Sequence, residues 1–141
     1  MTLKNVHPLL SGELLLALDH LGHGDALVVV DRNYPAYTSG APVVRLDSHS
    51  REAAEAILSV FPLDATGVPM LVMEAPSQPD RSAPTMRDVG AIARRIEGRD
   101  IEIVQLERHA FYDRAQSARL VILTRESEPY SDLIWIKGVV A

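Results

Sequence analysis

The chain has 141 residues, of which 47% are hydrophobic and 23% charged, and we predict one globular domain over residues 1–141 with a single core. The net charge of −5 disfavours nucleic acid or an anionic membrane as partner, because both attract clustered lysine and arginine. The absence of cysteine excludes disulfides and thiolate metal sites, and since neither a signal peptide nor a long apolar run is recognisable, we expect a cytoplasmic protein.

The first half of the chain alternates between helical and strand patterns. Ser11 can cap a helix from Gly12 to about Leu21 that stops at Gly22. The continuous apolar run at 26–30 is typical of a strand that is covered on both faces. An exposed loop over 32–42, a short strand over 43–47 and a helix over 50–61 are predicted to follow.

The second half continues this alternation. We predict strands over 69–75, 101–106, 120–124 and 133–140, with helices near 85–97 and 107–118. Thr85 and Asp88 resemble a capping box, and Gly98 would stop that helix. The last two strands are joined by a short loop and should be antiparallel. The pattern therefore predicts a three-layer α/β/α domain with a mixed, mostly parallel sheet.

His23 stands between two glycines, in a turn that follows a helix and opens a strand. A phosphate-binding glycine loop has the opposite order, because the following helix supplies the amides that hold the anion. The five histidines show no HxH or HExxH spacing, although histidines and carboxylates could still meet in space around a metal. A solvated loop histidine and a proton-transfer group both fit. The second interpretation gains from Asp31, which ends the next strand, where ligands of α/β sheets usually bind.

Several separated blocks then resemble one known family, the D-ribose pyranase / L-fucose mutarotase family. They are NVHPLLSGELLLALDHLGHGDALVVVDRNYPAY (5–37), VFPLD (60–64), PMLVMEA (69–75), RHAFYDRAQSA (108–118) and LIWIKGVV (133–140). The block at 108–118 is closer to the L-fucose branch, because the ribose branch usually has a histidine at the position of Arg108. The resemblance covers nearly the whole chain.

The resemblance implies an isomerase that interconverts anomers or ring forms of a free monosaccharide without metal or cofactor. His23 corresponds to the catalytic acid/base of the family. The family forms ring-shaped oligomers, typically decamers, so the resemblance implies a homo-oligomer with each site shared between neighbouring subunits.

The resemblance also implies a set of substrate-binding residues: Asp31, Arg108, Tyr130, Ser131 and Asp132. The last of these departs from the family pattern, which has asparagine there. An amide both donates and accepts hydrogen bonds, whereas a carboxylate only accepts them. This departure leaves two alternatives open, the hydroxyl preference of the family or a changed preference and with it a different sugar.

The chemistry of ring opening is consistent with this assignment. A proton must leave the anomeric hydroxyl and another must reach the ring oxygen, and imidazole is suited to both transfers near neutral pH. We predict that His23 carries out both on L-fucose or a related sugar. The alternative is a non-catalytic monosaccharide-binding protein accessory to sugar uptake or regulation. A metal-dependent isomerase is a third, weaker hypothesis.

Four further residues carry expectations from the sequence. Asp25 is expected to accept backbone amides of the glycine turn, and Trp135 to lie in the core or an interface. Tyr34 could close over the pocket or contact a neighbouring subunit, and Tyr112 lies one helical turn after position 108 and could line the pocket.

Overall fold

The computed structural model describes residues 2–141. In this part of the chain, four helices alternate with six strands. In order they are α1 (Gly12–Asp19), β1 (Ala26–Val30), β2 (Val43–Arg45), α2 (Ser50–Leu58), β3 (Met70–Met73), α3 (Pro84–Glu97), β4 (Ile103–Leu106), α4 (Arg108–Ala115), β5 (Leu120–Leu123) and β6 (Leu133–Ile136).

The six strands form one sheet in the order β2-β5-β1-β6-β3-β4. β6 runs antiparallel to β1 and β3, and the other three neighbouring pairs are parallel. The predicted mixed, mostly parallel sheet is therefore confirmed. The last two strands do run in opposite directions, but β1 lies between them and they do not pair. Their connection over 124–132 is longer than the two to five residues of a typical hairpin, and it passes the end of β1.

Helices cover both faces of the sheet, which confirms the three-layer arrangement. Leu14 of α1, Ile57 of α2 and Val89 of α3 belong to one buried cluster with one face of the strands. Phe111 and Ala115 of α4 belong to a second cluster on the opposite face. Successive residues of β1 alternate between the two clusters, because neighbouring side chains of a strand point to opposite faces.

The first helix begins as the sequence predicts and ends sooner. The Ser11 hydroxyl accepts the N–H of Leu14 at 3.1 Å, which is the expected N-terminal cap. α1 ends at Asp19, about two residues before the predicted boundary. The left-handed backbone of the following turn is at Gly24, with φ of 89°, rather than at Gly22.

Two glutamates of the 124–132 connection cap the N-termini of α2 and α3. Glu126 accepts the N–H of Ser50 at 3.0 Å, and Glu128 accepts the N–H of Thr85 at 2.9 Å. The predicted capping box of Thr85 and Asp88 is therefore wrong, since Asp88 instead pairs with an exposed arginine of α2. A carboxylate at a helix N-terminus satisfies free amides and complements the helix dipole.

Candidate active site

The carboxyl end of the sheet, where β1 ends and β6 begins, brings two predicted site residues together. Asp31 directly follows β1 and Asp132 directly precedes β6, and the two strands are antiparallel neighbours. The backbone N–H of Asp31 donates to Oδ1 of Asp132 at 2.8 Å. Both residues are buried, with exposed fractions of 6% and 3%. This contact joins positions 101 residues apart in the sequence.

The electrostatics of this contact are unusual for two acidic residues. Burial raises the pKa of the Asp132 carboxyl well above its usual range, and the neighbouring charge of Asp31 raises it further. Oδ1 of Asp31 accepts the N–H of Asn33 at 2.9 Å, which closes the turn after β1. Both carboxyl groups thus accept a backbone N–H, and that of Asp132 also favours its neutral form.

Tyr130 and Ser131 precede Asp132 at the same end of the sheet. Tyr130 has φ of 61°, an uncommon left-handed conformation for a residue with a side chain. Its half-buried ring contacts both hydrophobic clusters. The hydroxyl of Ser131 is buried and has no hydrogen-bond partner among residues 2–141. Such strain and such an unpaired polar group are most often found at functional sites.

Three aromatic side chains pack together close to the Asp31–Asp132 pair. The ring of Tyr34 lies 5.6 Å from that of Tyr112 and 6.0 Å from that of Phe111, both in edge-on geometry. Burial raises the pKa of the Tyr34 hydroxyl, and the charge of Asp132 raises it further, so this phenol stays neutral. Tyr34 therefore lies close to the carboxyl pair, within the loop that the sequence analysis described as exposed.

Arg108 lies at the same end of the sheet, farther from the pair. It is the first residue of α4 and follows β4, and β3 and β6 separate β4 from β1 in the sheet. The residue is exposed and forms no ion pair with the described residues 2–141. Its guanidinium is thus free to meet a ligand from solvent.

His23 lies at the amino end of the sheet, where β1 begins and β6 finishes. The N–H of Gly24 donates to the carbonyl of Lys137 at 2.9 Å, which attaches the turn to the end of β6. A five-residue strand spans about 17 Å, and it separates His23 from Asp31. Within one chain the imidazole therefore cannot contact the same monosaccharide as the carboxyl pair. The predicted site residues thus form two groups in one chain, with His23 at the amino end of the sheet and Asp31 and Asp132 at the carboxyl end.

A carboxylate that the sequence analysis left without a role accompanies His23. Nε2 of His23 lies 3.4 Å from Oδ1 of Asp64, and the imidazole is 54% exposed. Hydrogen bonds from the backbone and hydroxyl of Thr66 lower the pKa of Asp64, and contact with His23 lowers it further. The end of β6 also holds this segment, because the N–H of Asp64 donates to the carbonyl of Ile136 at 3.0 Å.

Asp25 has the structural role that was expected for it. Its carboxylate accepts the N–H of Gly22 at 2.7 Å and so closes the turn that carries His23. Trp135 is fully buried, as predicted.

The comparison with known proteins decides the family. A sequence model of the RbsD / FucU transport protein family matches residues 4–140. The chain belongs to this family. The resemblance found in the sequence is confirmed, and with it the prediction of an isomerase of the mutarotase and pyranase class.

Solved structures of RbsD and FucU proteins resemble this chain over its length. FucU from Bifidobacterium longum is 40% identical over 98% of this chain and 100% of that one, with a TM-score of 0.87. The fucose mutarotase from Streptococcus pneumoniae, solved with L-fucose, is 31% identical over 99% and 100% of the two chains, with a TM-score of 0.83. RbsD from Bacillus subtilis, solved with D-ribose, is 19% identical over 100% of both chains and shares the fold, with a TM-score of 0.73.

Clefts on the surface of this RbsD/FucU chain lie beside the predicted site residues' elements rather than on the residues themselves. Five clefts of about 200 to 530 Å³ on residues 2–141 are lined by other residues than the six predicted ones. Residues 2–141 contain no cluster of three or more histidine and acidic side chains that could hold a metal ion. No helix among them is long and apolar enough to cross a membrane.

Proposed function

We propose that the protein is a mutarotase that interconverts the anomers of L-fucose or a closely related free sugar. The observation that carries this proposal is the 31% identity, over 99% of the chain, to a fucose mutarotase solved with L-fucose. Arg108 adds support, because the resemblance associates an arginine there with the fucose branch. We also propose a cytoplasmic location, since that is where a sugar is free after its uptake.

His23 is the group that we propose to move the proton. Its imidazole is exposed, and Asp64 contacts Nε2, so a carboxylate orients the ring while Nδ1 remains available to a ligand. In ring opening, imidazole accepts the proton of the anomeric hydroxyl and passes that proton to the ring oxygen, as the bond between the anomeric carbon and the ring oxygen breaks. Closure on the other face of the carbonyl carbon reverses both transfers and yields the second anomer. Acid/base catalysis of this kind gives gains of about 10² to 10⁴.

We propose that Asp31, Arg108 and the 130–132 segment hold the sugar. A carboxylate can accept hydrogen bonds from two sugar hydroxyls, and the Arg108 guanidinium donates hydrogen bonds to sugar oxygens. Tyr130 offers a ring face and a hydroxyl beside them, and Ser131 brings a buried hydroxyl without a partner.

The two halves complete one site when a second copy of the chain supplies one of them. β1 separates His23 from Asp31, so the imidazole of one chain would meet the sugar that a neighbour holds. The amino end of the sheet is suited to such a contact, because an apolar cleft of about 520 Å³ there is lined by Leu16, Val60 and Val140. These three side chains are exposed in the single chain. We propose that a ring-shaped homo-oligomer, the decamer that the resemblance implies, covers these three side chains.

A non-catalytic sugar-binding protein is the second candidate. The carboxyl pair favours it, because Asp132 stands where the family pattern has asparagine, and such a site can keep affinity while losing turnover. Tight binding of L-fucose without exchange above the rate in buffer would support this alternative.

Saturation transfer between the α and β anomers, measured by NMR, tests the proposal. The wild-type protein should accelerate exchange of L-fucose, and His23→Ala should abolish the acceleration while binding partly survives. His20→Ala is the matched control, because His20 is also an exposed histidine at the amino end of the sheet. Exchange that persists in His23→Ala at the wild-type rate would refute the role of this imidazole. Galactose, ribose and rhamnose in the same assay would identify the preferred sugar.

A further inference from the structure

Two buried aspartates, Asp31 and Asp132, are neighbours at the carboxyl end of the sheet. Asp31 and Asp132 have exposed fractions of 6% and 3%, and a backbone N–H of the first donates to Oδ1 of the second at 2.8 Å. Strand pairing between β1 and β6 holds the two residues at this separation. The carbonyl of Asp132 also accepts the N–H of Met73 from β3, so three strands fix its backbone.

No cation neutralises this pair. Within residues 2–141, neither Asp31 nor Asp132 forms an ion pair with a lysine, an arginine or a histidine. Two neighbouring carboxylates that are buried away from water repel each other, and burial also disfavours the charged form of each one. Such pairs lower their energy by keeping one proton between them.

None of the surrounding titratable groups named below neutralises the negative charge of the pair. Tyr34, from the loop after β1, faces Asp132 and stays neutral because burial raises its pKa. At the neighbouring strand ends, Glu74 after β3 pairs with Arg81, and Glu126 after β5 accepts the N–H of Ser50. Tyr112 packs against Tyr34 from α4, and Arg108 at the start of α4 is exposed. Tyr130 is the titratable neighbour on the segment of Asp132 itself.

We propose that Asp31 and Asp132 hold one shared proton at neutral pH, and that Asp132 is the member that carries it. Asp132 is the more deeply buried of the two. Each of the two carboxyl groups accepts one backbone N–H, from Asn33 at 2.9 Å in Asp31 and from Asp31 at 2.8 Å in Asp132, so burial rather than hydrogen bonding distinguishes them. The direction of the pKa of Asp132, well above its usual range, agrees with this assignment.

This arrangement specifies the class of ligand, and it rests on the proposed function of the site. A neutral acid beside a carboxylate offers one O–H donor together with acceptor oxygens. Sugar hydroxyls both donate and accept, so an uncharged monosaccharide can satisfy both members. Among residues 2–141 no cation pairs with this single negative charge, since β3 and β6 separate Arg108 from it, and the charge repels an anionic ligand. The pair therefore selects neutral sugars against uronates and sugar phosphates.

Carbon-13 NMR of the aspartate carboxyl groups tests the shared proton directly, in the full-length protein without ligand. From about pH 4 to about pH 10, one carboxyl carbon should titrate far above the ordinary range of aspartate, which is about 3.9. Asp132→Asn should remove this titration, because an amide has no proton to lose in this range. Asp31→Asn should lower the pKa of this step without abolishing it, since it removes the repelling charge while Asp132 stays buried. Ionisation of every wild-type aspartate near its ordinary pKa would overturn the proposal.

The affinity for L-fucose across the same pH range tests the consequence for binding. In the wild-type protein the dissociation constant should rise by up to about tenfold per pH unit above the high carboxyl pKa, because the donor is lost. In Asp132→Asn it should stay flat, since the amide still donates. Asp100→Asn is the matched control, because its carboxylate is 92% exposed and lies on the α3–β4 connection, away from the carboxyl end of the sheet. A pH dependence in Asp132→Asn that equals the wild-type one would overturn the role in binding.

D-glucuronate and L-fucose 1-phosphate complete the experiment as anionic probes. Both should bind more weakly than L-fucose at neutral pH, and equal affinity would contradict the assigned ligand class. The two proposals fail separately. A high carboxyl titration in a protein that exchanges no anomers would refute the mutarotase activity and support the shared proton. Anomer exchange without that titration would support the mutarotase activity and refute the shared proton.

Discussion

Oδ1 of Asp64 lies 3.4 Å from Nε2 of His23, across 41 positions of sequence. The contact forms because the turn of His23 and the segment of Asp64 both attach to the end of β6. Two hydrogen bonds from Thr66 keep the carboxylate in place. Asp64 is therefore a positioning residue for the imidazole.

Asp64→Asn tests this relationship. We expect kcat for anomer exchange to fall about tenfold to a hundredfold, because a misplaced acid/base group loses catalytic efficiency steeply. KM should change little, since Asp64 contacts the imidazole and none of the proposed sugar-binding residues. Kinetics of exchange over a range of L-fucose concentrations separate the two constants. A larger change in KM than in kcat would contradict the positioning role.

Mixed oligomers test whether two chains build each site. His23→Ala and Asp31→Ala should each be inactive alone, because each lacks one half of the site. When the two variants are unfolded and refolded together, about one quarter of the shared sites should contain both intact halves. Exchange activity of the mixture, measured beside each variant refolded alone, gives the answer. A mixture of the same oligomeric size without recovered activity would place the complete site within one chain.

Asp132→Asn should change how stability depends on pH. The folded state raises the pKa of Asp132, so between about pH 4 and that raised pKa the folded protein retains a proton that the unfolded chain releases. The stability that this proton provides is complete below the unfolded pKa and is lost as pH rises, by up to about 1.4 kcal/mol per pH unit. The variant should therefore gain stability relative to wild type with rising pH, as urea denaturation at several pH values would measure. Parallel curves for both proteins would contradict this expectation.

Gly138→Ala tests the close approach that holds the Asp64 segment. An added Cβ would lie 2.5 Å from the carbonyl oxygen of Leu63, which is backbone and cannot turn aside. We expect a loss of about 1 to 3 kcal/mol in the free energy of unfolding, together with a reduced rate of anomer exchange. Gly12→Ala is the control, because nothing lies within 4 Å of its added Cβ and alanine is favoured in a helix. Equal thermal stability of both variants would argue against the tight contact.

The elements that local patterns determine were predictable from the sequence. The apolar run at 26–30 is β1 without any shift, and Gly98 ends α3 with φ of 72°. The ends of α1 and α2 were placed two or three residues too far, because apolar spacing continues past the last helical hydrogen bond. Capping was harder to predict, since the glutamates that cap α2 and α3 come from a connection much later in the chain.

The features of the candidate site also fall into those that the sequence predicts and those that it does not. The sequence by itself determined the family, the layered α/β architecture and the candidate residues, because these depend on residue types and on short spacings. Only the tertiary structure decided that His23 and Asp31 lie at opposite ends of β1, that Asp64 accompanies the imidazole, and that Asp31 and Asp132 are buried neighbours. These facts depend on which strands become neighbours in the sheet. That choice minimises the exposed apolar surface of the whole chain, and no local segment of sequence contains it.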